Sequence, residues 1–296
     1  MVPGQPWRTY APLGSPPPER QSPSTAKMLR EVRRLLEVVG RFPQYADLPC
    51  VVDECDASVP AHWGVHDNPN FAYRNTEYYP VFQCKLMKKL ADLNAVAPAR
   101  VDLATTWSFY FEGERYFEGT RSLATTSELD KPFLNAYRMF AKLGERRVAL
   151  ESTAACTVDA LDDVGSGWPE EVDGLATRHQ DGTVAVLVWR HADDQYHTDD
   201  VPAEVTVRLR GLAEAPAYDL THYRVDRDHS NSHTAWRALG SPQDPDVEQL
   251  AAVRARQGLE RCEPDRRLPT PGGSLDLALR LPSPAASLLV LSPARG

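Results

Sequence analysis

Apolar positions along the chain fall into two regimes, one with a helical and parallel-strand texture and one of short alternating runs. Met28, Leu29, Val32, Leu35, Leu36 and Val39 recur at intervals of three and four. That spacing predicts an amphipathic helix over Ala26 to Val39, with Ser24 or Thr25 as its N-cap and Gly40 at its end. Leu48 to Val52 is a short apolar run that stops at Asp53, Glu54 and Asp56, as a buried parallel strand does when it surfaces at a site. Phe71 to Leu93 carries Tyr78, Tyr79, Phe82, Leu86, Met87 and Leu90 at helical spacing. These residues read as core, and Pro80 should kink or restart that helix. Val101 to Phe111 is β-branched and aromatic and runs into acids, predicting a second strand. Lys131-Pro132-Phe133 then leads to a helix, Leu134 to Leu143, stopped by Gly144. Strand, helix, strand with carboxylates at both strand ends is the pattern of one edge of a (β/α) barrel, whose sites sit at the C-terminal ends of the strands.

After Gly144 the texture changes. Arg146 to Glu151, Leu175 to His179, Thr183 to Arg190, Ala203 to Leu209, Ala217 to Val225, Ser274 to Leu281 and Ala286 to Leu291 are short alternating runs, which together predict an antiparallel sandwich. Asp244 to Gln257 reads as one polar helix between them. The expected fold class is α/β plus all-β: the C-terminal portion of a (β/α)8 TIM barrel followed by an antiparallel β-sandwich. The expected divisions are a Pro-rich irregular tail at 1–23, a partial barrel domain at 24–144 and a sandwich at 145–296. Two long loops, Ala57 to Asn70 and Gly113 to Asp130, follow the predicted strands, where barrel enzymes place substrate contacts.

Composition narrows the function classes. The 296 residues carry a net charge of −8, which argues against a nucleic-acid partner, since such a partner needs a basic face. Arg30, Arg33 and Arg34 read as a solvated helix face. Cys50, Cys55, Cys84, Cys156 and Cys262 are odd in number and lack metal-type spacing, so free thiols in a reducing, cytoplasmic setting are expected. No run of about 20 apolar residues predicts a membrane span, and the N-terminus lacks an apolar signal core. No cofactor is implied.

Glu54 is the leading candidate for chemistry, because a carboxylate at the C-terminal end of a barrel strand can face substrate. Retaining glycosidases need two carboxyl groups about 5–5.5 Å apart. His62 and His66 with Asp53, Glu54 and Asp67 could ligate a metal, but Gly64 and the flanking Pro60 and Pro69 make the segment a loop, so a helical-spacing argument fails. His229 and His233 lie in a polar run and read as a solvated turn.

Val52-Asp53-Glu54-Cys55-Asp56 resembles the nucleophile strand end of glycoside hydrolase family 39, the family of β-xylosidases and α-L-iduronidases. Arg41 to Pro49 is similar to the lead-in to that strand. Trp107-Ser108-Phe109-Tyr110-Phe111-Glu112 resembles the last barrel strand, and Lys131 to Tyr137 the entry to the last barrel helix. Leu220 to Asp226, Trp236-Arg237 and Arg280 to Ser283 also look iduronidase-like, so the resemblance runs from Ser24 to Pro293. It implies Glu54 as nucleophile, Trp107 as the floor of the sugar site, Glu112 or Glu114 on sugar hydroxyls, and Asp56 and His62 as further substrate contacts. It implies a carbohydrate substrate, a β-xyloside or a uronide. Cys55 stands where the family more often has an aromatic residue or Ala.

The family's acid/base Glu sits in an Asn-Glu-Pro motif, and that tripeptide is absent from these residues. A full barrel takes about 250 residues, so the resemblance is to the C-terminal half of such an enzyme. The expectation is a family 39 glycosidase with little or no activity by itself, whose partner is a missing N-terminal half-barrel, upstream or on another chain. The alternative is a non-catalytic carbohydrate-binding or interaction module on the sandwich, with Trp168, Trp189 and Trp236 as the available aromatics and Trp189 read as core.

Overall fold

The computed structural model describes residues 20–58, 61–111, 115–165, 167–197, 199 and 201–294. Two of the expected site residues, Glu112 and Glu114, and most of the Pro-rich stretch lie outside the described residues.

The helical spacings produce helix α1, Thr25–Val39, and helix α2, Tyr78–Asn94. Ser24 caps α1 by accepting from the Lys27 backbone N–H, an interaction that contributes about 1 kcal/mol. Gly40 ends the helix, as expected, but with right-handed backbone angles. It is required there because a Cβ would meet the Pro98 ring at 2.8 Å. α2 begins later than its apolar pattern suggests. Pro69–Asn75 is a separate 3-10 turn, and Pro80 falls in the first turn of α2, where backbone N–H groups have no helical partner to lose.

Strand β1, Val51–Val52, lies between the helices in the chain, and strand β2, Leu103–Ala104, follows α2; the two pair in parallel. The pairing extends past the strands: Asp102 N–H donates to the Cys50 carbonyl (2.8 Å) and Cys55 N–H to the Thr105 carbonyl (2.7 Å). Both strands are shorter than the sequence pattern suggests. Leu48, Val51 and Leu103 are exposed and only Val52 of β1 is buried. Neither β1 nor β2 has a neighbour on its outer edge among the described residues, and an isolated two-stranded pair gains little from extension. A short hairpin of β3, Ala124–Thr125, and β4, Leu129–Asp130, follows, then α3, Leu134–Phe140.

All seven expected alternating runs form strands: β5, Arg146–Val148; β6, Glu171–Arg178; β7, Val184–His191; β8, Ala203–Leu209; β9, Ala217–Val225; β12, Leu275–Leu281; and β13, Ala285–Pro293. Glu260–Arg261 (β10) and Arg266–Pro269 (β11) add to them. One seven-stranded antiparallel sheet runs β10-β9-β13-β7-β6-β5, with β11 also on β9, and a two-stranded sheet of β12 and β8 faces it. Val186, Val188, Leu220 and Leu289 meet Leu277, Leu279 and Leu281 in the core between them. The polar helix is α5, Val247–Arg254, with an Asp246–Gln249 capping box; α4, Ser232–Ala238, precedes it.

α2 lies at the centre. Tyr79, Phe82 and Leu86 pack with Met28, Leu29 and Leu36 of α1. Its opposite face sets Val81 and Cys84 against Leu187, Trp189, Ala286 and Leu288 of the large sheet. Three lysines on that face are buried or nearly so. Lys85 pairs with Asp193 (3.1 Å), Lys88 with Asp173 (2.7 Å), and Lys89 with Glu171 (3.0 Å) and Asp173 (2.7 Å). No helix among the described residues is long and apolar enough to cross a membrane.

Candidate active site

The site is built where β1 and β2 end. The parallel ladder carries Cys50 to Cys55 alongside Asp102 to Thr105, so Glu54 and Asp56 emerge beside Thr106 and Trp107. Asp56 is buried and fully bonded. Its Oδ2 accepts from Trp107 N–H (2.9 Å) and its Oδ1 from the Tyr79 hydroxyl (3.0 Å) and the Thr106 hydroxyl. Burial pushes the Asp56 carboxyl above the usual carboxylate range, while Arg121 and the three donors oppose that rise. Asp56 therefore ties β2's end to β1's and fixes the Trp107 backbone. Tyr79 is itself stacked on Phe133, centroids 3.7 Å apart.

Arg121 joins the pieces. It is almost wholly buried, and its guanidinium donates to Glu54 Oε2, to the Trp107 carbonyl through Nε (3.0 Å) and to the Ser58 carbonyl through Nη1 (2.6 Å). Its Nε also lies 3.6 Å from Asp56 Oδ2. One planar cation thus holds Glu54 and Trp107 on the same rim, with the fixed fork geometry that suits a guanidinium and not an ammonium. Desolvation pulls the Arg121 pKa down, but Asp56, Tyr79 and Glu54 together more than offset it. Glu54 keeps 27% of its side chain exposed and Trp107 is 51% exposed, so both face open space. A partly exposed carboxylate with one oxygen held by Arg121 is able to act as a nucleophile or base toward a group bound at this rim.

The expected residues separate accordingly. Glu54, Asp56 and Trp107 are brought together. His62 is exposed, with its ring edge-on to Trp63 at 6.4 Å, and makes no bond to this cluster. His66 sits 3.7 Å from Glu118, and among the described residues no three His, Cys, Asp or Glu side chains converge as metal ligands. His233, read as part of a solvated turn, instead lies in α4 against Phe117 (5.2 Å) and Trp236 (5.7 Å). Trp168, Trp189 and Trp236 are all buried, so the sandwich aromatics are not available to stack on a sugar.

Arg121, Tyr79 and Thr106 were missed from the sequence. Arg121 carried one signal: a lone cation between Thr120 and Ser122, next to apolar Leu123. It reaches the site because its loop crosses the loop after β1 at close range. Val65 N–H donates to the Glu118 carbonyl (2.7 Å), and a Cβ on Gly64 would lie 2.4 Å from that oxygen.

The chain is similar to known proteins. The chain is 28% identical to human (Homo sapiens) α-L-iduronidase, over 82% of this chain and 38% of that protein. It is 25% identical to the mouse (Mus musculus) α-L-iduronidase, over 90% of this chain and 43% of that protein. It superimposes on a solved bacterial orthologue of human α-L-iduronidase with a TM-score of 0.77 at 18% identity, covering 94% of this chain and 47% of that one. A monomeric β-xylosidase from Caulobacter crescentus CB15 gives a TM-score of 0.69 at 20% identity, covering 93% and 52%. The chain therefore spans about two fifths of the curated relatives it matches and about half of the solved ones. The model of glycosyl hydrolases family 39 matches residues 18–270, and the chain belongs to that family.

Proposed function

We propose that this chain supplies the nucleophile-bearing half of a retaining glycosidase acting on a β-xyloside or a uronide. The observation that carries the reading is the rim of β1 and β2, where Arg121 holds Glu54 beside exposed Trp107. Glu54 attacks the anomeric carbon, the bond to the leaving oxygen breaks, and a glycosyl ester forms on the carboxylate. Water then attacks that ester and releases the sugar with retention. Trp107 floors the ring, and Asp56 acts through the backbone it fixes.

The acid/base comes from outside these residues. Residues 24–144 form part of a barrel, and a complementary half-barrel, on the same polypeptide or another, closes it. Two features support this. Among the described residues β1 and β2 have no partner on either outer edge, whereas parallel sheets are normally covered on both faces and flanked by further strands. Leu48, Val51, Leu103 and Phe109 stand exposed around them, the side chains a neighbouring half would bury.

General acid catalysis contributes typically about 10²–10⁴-fold. The 296-residue chain is therefore expected to be slow on ordinary aryl glycosides and faster on dinitrophenyl glycosides, whose leaving group needs no proton. Glu54→Ala should abolish that residual rate on xyloside or iduronide; equal rates for wild type and variant would remove Glu54 from the mechanism.

A further inference from the structure

Arg121 holds Glu54 and Trp107, so whatever fixes Arg121 fixes the rim. Its backbone is tied on both sides. Its N–H donates to the Ala61 carbonyl in the loop after β1 (2.8 Å), and its carbonyl accepts from the N–H of Ser108, the residue after Trp107 (2.7 Å). The direction of its side chain is then set by the turn 120–122. There Ser122 N–H donates to the Thr120 carbonyl (3.0 Å), and the Thr120 and Ser122 hydroxyls lie 3.1 Å apart.

Lys131 reaches that turn from the other arm of the β3–β4 hairpin. Ala124 faces Asp130 and Thr125 faces Leu129, so Leu123 and Lys131 are the next pair along, and Lys131 N–H donates to the Leu123 carbonyl (2.9 Å). From there the ammonium donates to the Thr120 carbonyl (2.7 Å) and to the Ser122 hydroxyl (3.5 Å), one contact on each side of Arg121. Lys131 is 1% exposed. A buried ammonium is costly unless it is bonded, and methionine fills a similar space without the charge, so packing alone does not call for lysine here. The base of Lys131 is anchored too: two residues on, Phe133 stacks on Tyr79, whose hydroxyl bonds Asp56.

We propose that Lys131 is a positioning residue of this site: by holding residues 120–122 it aims the Arg121 guanidinium at Glu54 and Trp107. It acts through Arg121. The catalytic consequence rests on the reading of Glu54 as nucleophile; the link from Lys131 to Arg121 does not.

The test compares the 296-residue chain with Lys131→Met. Exchange of the Arg121 Nε–H with water, followed by heteronuclear NMR, should quicken about tenfold as the turn opens locally, while the backbone amide of Leu187 in β7 keeps its rate. The chemical readout is labelling by a xylosyl or iduronosyl fluoride fluorinated also beside the anomeric carbon, in which the Glu54 carboxylate bonds to that carbon and fluoride leaves. Per folded molecule it should slow about 10–100-fold, the range that a small misplacement produces. In an Arg121→Ala background, Lys131→Met should slow labelling no further. Ser122→Ala keeps the lysine and removes one of its acceptors; it should move both readouts the same way by less, and it stands in for Lys131→Met if that chain does not fold. Unchanged Arg121 Nε–H exchange overturns the proposal. So does a labelling defect that multiplies with that of Arg121→Ala, which would mark a lysine with a purely structural role. A wild type that takes no label at Glu54 refutes the sugar-cleaving reading instead, and Arg121 Nε–H exchange still decides whether Lys131 aims the guanidinium.

Discussion

Arg121 is the residue on which the site geometry turns. It is the buried cation nearest Asp56 and the direct partner of Glu54. Removing one partner of a buried ion pair costs about 3–5 kcal/mol, because the remaining charge is left uncompensated. Asp56 keeps three hydrogen bonds without it, so Arg121→Ala should fall near the low end, about 3 kcal/mol in urea unfolding. Arg121→Lys should recover part of that stability but not the turnover, since an ammonium cannot bond Glu54, Trp107 and Ser58 together. A loss within about 0.5 kcal/mol for the alanine variant, the level of a surface change, would show that Arg121 is not the clamp. At this scale the sequence was legible where candidate residues sit on one local stretch and the structure brings them together. Glu54, Asp56 and Trp107 follow from acids and an aromatic at strand ends. Arg121 did not, because its bond to Glu54 spans 67 residues and depends on two loops crossing.

Helix α2 shows what periodicity can and cannot tell. Its existence follows from Tyr78, Tyr79, Phe82, Leu86 and Leu90, but its polar residues were not recognisable as buried. Lys85 and Lys89 are inaccessible and neutralised by acids of the large sheet, a pairing that one helix's sequence does not encode. Burial pulls the Lys89 pKa down, but Glu171 and Asp173 raise it above the ordinary lysine value. Burial likewise pushes Asp173 up, and Lys89 and Lys88 bring it below the usual carboxylate range. The carboxylate's share of stability is therefore present above its unfolded pKa and lost as pH falls through the lowered folded one; the lysine's is lost only as pH rises through its raised value. Lys89→Met should cost about 3–5 kcal/mol at neutral pH, and that cost should shrink below about pH 4, where Asp173 takes up a proton and no longer needs a cation. Urea unfolding of both proteins at each pH checks this; a cost independent of pH would mean lost packing rather than lost pairing. β1 and β2 fell short of their apolar runs for the opposite reason: a strand extends only where something pairs with it.

Across the whole molecule, the sandwich strands were the most legible part, since alternation with turns between is a local signal. Which strands share a sheet is not local, and the two-against-seven division of the sheets follows from pairing alone. Among the described residues the outer edges of β1 and β2 have no strand partner. The proposed half-barrel would meet the molecule at the β1–β2 rim, where Glu54 and Arg121 lie.

The central claim, that Glu54 forms the bond to sugar, is tested most directly by trapping. Glycosyl fluorides of xylose and of iduronic acid, fluorinated also at the carbon beside the anomeric centre, leave without an acid and hydrolyse slowly from the enzyme. Mass spectrometry of the treated chain should show one sugar per protein, on the peptide containing Glu54, and none on Glu54→Gln. An unlabelled wild type, or equal labelling of the variant, would contradict the account.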